Sequence, residues 1–152
     1  MQTRVTDQPA FILHRRNWQN SSLILDVFTL NYGRLSLLAK AARQNAAKAL
    51  YQPFMLLNIG WFGRHELKTL SAIEGHSAQV NERNYLSLLY VNELITSLLP
   101  QQEPSLEIFN QYLQLLNQAG ESIDESSLRE FELCLLQTLG YFPDTDDDAS
   151  SG

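Results

Sequence analysis

The stretch FILHRRNWQNSSLILDVFTLNYGRLSLLAK, residues 11–40, decides the fold. It predicts three β-strands joined by tight connections, with cations at the strand ends. Side chains alternate along a strand, so in the segment 23–29 Leu25 lies on one face and Asp26 on the other. The tripeptide at 31–33 is Asn-Tyr-Gly, and because Asn and Gly tolerate positive φ it predicts a hairpin turn. β-branched and aromatic residues favour strand over helix throughout this stretch.

Two further strands complete a predicted barrel. The five predicted strands cover 11–14, 23–29, 34–39, 54–62 and 66–74. Before the fourth strand, the alanine-rich segment 41–51 forms either a helical turn or a loop, and Pro53 ends it. Five short antiparallel strands with one longer connection fit an OB-fold. An SH3-like barrel or a five-stranded sandwich fits the pattern almost as well.

Beyond residue 80 the apolar spacing changes to that of helices. Helices are predicted at 85–99, from 106 to about 119, and at about 128–139. Their predicted end signals are Asn81 or Asn84 as the N-cap of the first helix, a Ser127–Glu130 capping box at the third, and closing glycines at 120 and 140. The second helix follows Pro104 and Ser105. The expected class is therefore α+β, with an N-terminal five-stranded OB-fold β-barrel at 1–80, a small α-helical domain at 81–142 and a disordered acidic tail at 143–152.

The charges of the two halves have opposite signs. The whole chain has a net charge of −6. Residues 1–80 carry nine Lys/Arg against four Asp/Glu, a net of +5, whereas residues 81–152 carry two against thirteen, a net of −11. This asymmetry is typical of a polyanion-facing module joined to an acidic one, although two ordinary solvated surfaces would give it too.

The sequence contains no recognisable catalytic motif. The single cysteine, Cys134, lies among leucines in a predicted helix, which favours a buried thiol over a nucleophile. The three histidines have no metal-ligand spacing, so no metal and no cofactor are expected. No segment has the length of a membrane span or the core of a signal peptide, so we expect a non-enzymatic cytoplasmic protein with no membrane partner.

Binding residues are easier to identify. Cations at strand ends and in the loop of the 40s suit the phosphates of single-stranded nucleic acid, and exposed aromatic rings suit its bases. The candidates are the cations Arg15, Arg16, Arg34, Lys40, Arg43 and Lys48 and the rings Trp18, Tyr32 and Trp61. Trp61 lies in an apolar run and is better explained as core. In the acidic half, Arg129 beside Leu128 and Phe131 suits an acidic peptide, but an ion pair with Glu125 or Glu132 is the simpler explanation.

Several of these segments, in this order, resemble the bacterial recombination mediator family RecO. The resemblance rests on FILHRRNWQNSSLILDVFT, GRLSLLAKAAR, LYQPF and ELKTL in the barrel and on YVNELITSLL, FNQYLQLL and LREFELCLLQTLGY in the helices. It extends from Phe11 to Tyr141. It implies an OB-fold followed by a helical domain.

The resemblance also implies a function. Members of the family bind single- and double-stranded DNA, anneal complementary strands, and work with RecR to load RecA onto DNA coated by the single-stranded DNA-binding protein SSB. The family's basic surface corresponds here to Arg15, Arg34, Lys40, Arg43 and Lys48. The helix that receives the acidic SSB tail corresponds to the one containing Leu128, Arg129 and Phe131. Two differences from the family are expected to matter: the helical domain is shorter here, and the loop of the 40s is less basic.

Overall fold

The computed structural model describes residues 3–44, 46–75 and 80–141, which form five β-strands followed by three α-helices. The strands are β1 Thr3–Trp18, β2 Ser22–Thr29, β3 Gly33–Ala39, β4 Leu57–Gly63 and β5 Leu67–Gly75. The helices are α1 Tyr85–Leu98, α2 Leu106–Asn117 and α3 Glu125–Thr138. Short 3-10 turns at Lys48–Leu50 and Glu82–Asn84 precede β4 and α1.

The strands close into a barrel in the order β1-β2-β3-β5-β4. All neighbours are antiparallel except β3 and β5, which pair in parallel over three residues, 36–38 with 67–69. This closed barrel followed by helices confirms the predicted OB-fold and excludes the sandwich.

Strand β1 is longer than the sequence predicted, because it pairs along both edges. Its second half pairs with β2 and its first half with β4, with register shifts between Ile12 and His14 and between Val5 and Gln8. The segment 3–10 contains a proline and many polar residues, so it lacks the alternation that identifies a strand. Pairing with β4, and not the local propensity of the segment, therefore determines its conformation.

The barrel has one core inside and a second core on its outer surface. Leu25, Val27 and Leu37 point inward with Ile59 and Trp61. The outward face of β1 and β2 carries apolar rings, and the helices cover them: Phe11 lies 4.7 Å from Tyr112 and Phe28 lies 5.5 Å from Phe109, measured between ring centroids. The helical segment is thereby packed against one side of the barrel.

A buried polar network fixes the helices against that side. The Asn92 side chain donates a hydrogen bond to the Leu13 carbonyl at 3.2 Å, and the Tyr112 hydroxyl donates to the Asn92 side-chain oxygen at 2.5 Å. Asn92 and Tyr112 are both fully buried. Each buried polar group has a partner, so the network sets one orientation of α1 relative to β1.

Two of the predicted helix ends were wrong. The N-cap of α3 is Asp124, whose carboxylate accepts a hydrogen bond from the Ser127 backbone N–H at 2.8 Å. The helix therefore starts before the predicted Ser127–Glu130 box, because aspartate caps as well as serine does. Gly120 does not adopt positive φ, and α2 ends at Asn117 with Gln118 as its C-cap.

The remaining helix ends lie within a residue of the predicted ones. Ser105 caps α2 by accepting from the Ile108 N–H at 3.2 Å, and Gly140 has φ +93° after α3. Asn81 caps the 3-10 turn before α1, whereas the side chain of Asn84 is buried and bonded to backbone groups near 119–123. The acidic tail at 143–152 lies outside the described residues. None of the described helices combines the length and the apolar character needed to cross a bilayer.

Candidate nucleic-acid interface

Four cations from separate parts of the chain surround one cleft. Its volume is about 650 Å³, and it lies between the end of β1 and the connection from β3 to β4. The cations are Arg15, Arg16, Arg43 and Lys48, and we call this site the basic cleft. The described residues that line it include no carboxylate, so a bound anion would neutralise the mutual repulsion of the cations.

Backbone contacts hold the two sides of the basic cleft together. The guanidinium of Arg15 donates to the Tyr51 carbonyl at 2.5 Å, and the Arg43 N–H donates to the Ser21 carbonyl at 2.9 Å. The 3-10 turn at Lys48–Leu50 gives the connection local structure, which agrees with the helical turn, one of the two alternatives that the sequence left open. Residues about thirty positions apart in the sequence therefore form the two facing walls of one site.

Trp18 provides an aromatic surface beside the cleft. Its side chain is 38% exposed, although it is one of the largest apolar groups in the chain. The guanidinium carbon of Arg16 lies 5.8 Å from the centre of its ring, within the range of a cation–π contact. An exposed ring next to a cation is the pair of features that single-stranded nucleic acid requires.

Lys40 lies by a neighbouring cleft rather than in the basic cleft. This second cleft, of about 400 Å³, opens where β3 and β5 diverge, and Phe62, Thr69 and Ser71 also line it. Arg4 stacks over the ring of Phe62 at 5.2 Å. Sequence reasoning did not single out Arg4, because the pairing of β1 with β4 that brings it to Phe62 was not predicted.

Arg34 does not face the solvent, so the structure does not support the prediction that it contacts DNA. Its guanidinium lies 3.1 Å from a carboxylate oxygen of Asp26 and donates to the Leu99 carbonyl at 2.9 Å. Only 11% of its side chain is exposed. Burial raises the pKa of Asp26, and the neighbouring Arg34 opposes this shift. Arg34 therefore joins the barrel to the end of α1.

Tyr32 lies at the other end of the barrel from Trp18. Tyr32 follows the end of β2 and Trp18 precedes the start of β2. The eight residues of this strand span about 25 Å. The Tyr32 side chain is 44% exposed and packs edge-on against Trp61, with ring centroids 5.3 Å apart. Trp61 itself is 2% exposed, which confirms that it belongs to the core.

The three candidates in the acidic half do not form one surface. Phe131 is 1% exposed and lies in the core between helices and barrel, where Leu128 packs partly buried against it. Arg129 is well exposed and lies 3.8 Å from Glu125, one of the two ion pairs considered from the sequence. Glu132, the other candidate partner, accepts a hydrogen bond from the Tyr90 hydroxyl at 3.0 Å. Only Arg129 of the three presents its side chain freely to a ligand.

The described residues contain no cluster that resembles a catalytic or metal centre. No three of their His, Cys, Asp or Glu side chains are grouped as metal ligands would be. Burial raises the pKa of the Cys134 thiol, which makes it a poor nucleophile at neutral pH. His14 pairs with Glu93 across the junction of barrel and helices at 3.4 Å.

Comparison with known families agrees with this arrangement. The family described as "Recombination protein O N terminal" matches residues 1–79, and "Recombination protein O C terminal" matches residues 82–152. The chain belongs to the recombination protein O family. The two matches meet at the point where the RecO barrel ends and its helices begin.

Curated relatives with the name DNA repair protein RecO come from several bacteria. The chain is 40% identical over 150 positions to the protein of Aliivibrio salmonicida, 39% over 157 to that of Methylococcus capsulatus and 37% over 149 to that of Marinobacter nauticus. These alignments cover 95%, 99% and 93% of this chain but only 63%, 64% and 61% of the relatives. The chain thus spans about three fifths of the length of the curated relatives it matches.

Proposed function

We propose that this chain is a non-enzymatic DNA-binding module that acts in recombinational DNA repair and holds single-stranded DNA in the basic cleft. The observation that supports this most is the convergence of Arg15, Arg16, Arg43 and Lys48 on one cleft whose described lining includes no carboxylate. Membership of the RecO family gives the biological setting, because relatives carry the name DNA repair protein.

The geometry suits a flexible strand better than a rigid duplex. Cations on both walls of a cleft contact phosphates from two sides, and the strand can bend to reach them. The exposed Trp18 ring offers a stacking platform at the edge, with Arg16 already against it. Stacking on an aromatic ring needs an unpaired base, so this site favours single strands and tolerates any sequence.

The wider activity of the module is proposed from the family resemblance. It binds double-stranded DNA as well, anneals complementary strands, and works in the bacterial cytoplasm with RecR and SSB to load the recombinase. Neutralising the charge of two strands is a physical requirement for annealing, and a basic surface on the barrel meets it. The proposed partners of the module are DNA, RecR and SSB, and the module acts without a cofactor.

A fluorescence anisotropy titration with a labelled single-stranded oligonucleotide tests the central part of the proposal. The variant Arg43→Ala/Lys48→Ala removes two cations from the basic cleft. The matched control, Arg83→Ala/Arg129→Ala, removes two exposed cations from the helical segment. We expect the first variant to bind at least tenfold more weakly and the control to bind like the parent protein. Equal losses in both variants would show that net charge, not the cleft, controls binding.

A second candidate function is that of a docking module for RecR or the SSB tail with little DNA affinity. The observation that favours it is the exposed side of α3, where Arg129 is 80% exposed and Leu133 and Leu136 are 42% and 39% exposed. A pull-down with and without the SSB tail separates the two functions. Capture of a partner by a chain that fails to bind oligonucleotide supports the docking module.

A further inference from the structure

A third cleft opens at the end of the barrel opposite the basic cleft. Its volume is about 240 Å³. Three residues of the barrel core, Val5, Leu35 and Trp61, form its floor. Tyr32, Lys68 and Gln102 stand on its rim, and we call this site the barrel mouth. The mouths of β-barrels are common places for small ligands.

The walls of the barrel mouth are held in place by backbone contacts. The Gln102 N–H donates to the Arg34 carbonyl at 2.9 Å, which fixes the connection between α1 and α2 against β3. A Cβ at Gly33 would lie 2.6 Å from the backbone of Glu103, so this close approach requires glycine. The Tyr32 N–H donates to the Thr29 hydroxyl at 3.0 Å, which orders the turn that carries the Tyr32 ring. The site is therefore formed before any ligand arrives.

Lys68 is unusual for its position. It pairs in register with Leu37, a fully buried core residue, so both side chains lie on the face that points into the barrel. The structure gives Lys68 no carboxylate partner within 4.0 Å among residues 3–44, 46–75 and 80–141. Lys68 is only partly buried, so its stem packs against apolar neighbours while its ammonium group stays accessible to an anion at the rim.

We propose that the barrel mouth binds one nucleobase of a DNA strand, with the ammonium group of Lys68 on the adjacent phosphate. This inference rests on the proposed DNA-binding function and adds a second contact point to it. The cavity is smaller than the roughly 300–1,000 Å³ of drug-sized sites, so it takes one flat ring rather than a whole nucleotide. The Tyr32 ring supplies the stacking face, and the phosphate stays at the rim.

The polar groups on the rim favour a base over the aromatic side chain of a peptide. Asn31 and Gln102 both line the mouth, and each amide offers donors and an acceptor. The edge of a base presents donors and acceptors together, whereas the edge of a phenylalanine ring presents neither. Strand β5 also connects the mouth to the second cleft, because Lys68 precedes Thr69 and Ser71. A strand leaving the basic cleft past Lys40 can follow β5 to the mouth.

The two tryptophans of the chain allow each site to be observed separately. The variant Trp18→Phe leaves Trp61, in the floor of the mouth, as the only indole. The variant Trp61→Phe leaves Trp18, beside the basic cleft. We expect an oligonucleotide of about 16 residues to change the emission of both reporters, and one of about 4 residues to change that of Trp18 alone.

Two substitutions then test the contacts. For the longer oligonucleotide, Tyr32→Leu should weaken binding about fivefold to a hundredfold, the range for loss of one stacked base. Lys68→Met should abolish the Trp61 response and reduce the salt slope of binding by about 0.7, the value of one single-strand phosphate contact. Arg64→Met, which removes an exposed cation that does not line the mouth, is the matched control and should change neither.

The outcomes separate this inference from the function on which it rests. If Trp18 responds while Trp61 does not, and Lys68→Met binds normally, the mouth is not a DNA site but the basic cleft is. If neither reporter responds to any oligonucleotide, the proposed function fails and this inference fails with it. If only an acidic peptide ending in an aromatic residue changes Trp61 emission, the mouth is a peptide site and the assignment to a nucleobase is overturned.

Discussion

Replacing Arg34 with methionine tests whether this cation holds the fold together rather than binding DNA. The guanidinium lies 3.1 Å from Asp26 and donates to the Leu99 carbonyl at 2.9 Å, and the side chains of the ion pair are only 11% and 20% exposed. Methionine keeps the length and apolar character of the arginine stem. It removes the charge and both hydrogen-bonded contacts.

The expected cost follows from these contacts. Removing one partner of a fully buried ion pair costs about 3–5 kcal/mol, and the partial exposure of this pair reduces the cost to about 2 kcal/mol. The Leu99 carbonyl, left without its donor, adds about 1 kcal/mol. A total of about 3 kcal/mol lowers the melting temperature of a chain of this size by about 6–12 °C.

The loss of stability should depend on pH. Burial already raises the pKa of Asp26 above its ordinary value of 3.8, and removing Arg34 raises it further. A carboxyl group with a raised pKa in the folded state favours folding at low pH, and this contribution is lost as the pH rises through that pKa. The deficit of Arg34→Met should therefore be largest at neutral pH and shrink as the pH falls towards 3.8. Adding Asp26→Asn to Arg34→Met should recover a large part of the lost stability, because it removes the carboxylate that is left unpaired.

Urea unfolding at two pH values measures the stability, and anisotropy with a labelled oligonucleotide measures binding. We expect Arg34→Met to bind DNA within about twofold of the parent protein at temperatures where both are folded, since a buried side chain makes no phosphate contact. A variant that unfolds like the parent but loses DNA affinity would refute this reasoning and return Arg34 to the binding surface.

Three further predictions concern the fold. Asp124→Ala should lower the melting temperature more than Ser127→Ala, which keeps the backbone hydrogen bond and removes only the one from the Ser127 side chain; the backbone hydrogen bond lowers the pKa of Asp124 most, so this difference should disappear as the pH falls below that lowered value. Tyr112→Phe should cost about 1 kcal/mol and Asn92→Leu about 3 kcal/mol in urea unfolding, because the second leaves both the Tyr112 hydroxyl and the Leu13 carbonyl unpartnered. Gly33→Ala should cost more than about 2 kcal/mol, since φ is +72° and the added methyl meets the Glu103 backbone; a melting temperature equal to that of the parent would contradict this.

The regular parts of the fold were predictable because their patterns are strong. Alternation in 23–29 and a glycine turn before 34–39 identify β2 and β3, and the structure agrees within a residue or two. The first half of β1 was not predictable, because pairing with β4 and not its own composition makes it a strand. The start of α3 was not predictable either, because Asp124 and Ser127 can both cap a helix and lie three positions apart.

The binding surface was predictable in part. The sequence placed Arg15 and Arg16 at the end of a strand, but β1 continues to Trp18 and both arginines lie within it. Their meeting with Arg43 depends on how a long connection folds back, which the sequence does not show. The burial of Arg34 was foreseeable in principle, since the register of the β2–β3 hairpin places it diagonally from Asp26. The outward apolar residues Phe11 and Phe28 were a similar signal that something covers that side of the barrel.

The salt dependence of single-stranded DNA binding tests the basic cleft most directly. Four phosphate contacts predict a slope of about −3 for the logarithm of the association constant against the logarithm of salt concentration, since each contact contributes about −0.7. Arg43→Ala/Lys48→Ala should bring the slope to about −1.4. A parent slope near zero, or a slope that the double substitution leaves unchanged, would contradict the assignment of DNA binding to this cleft.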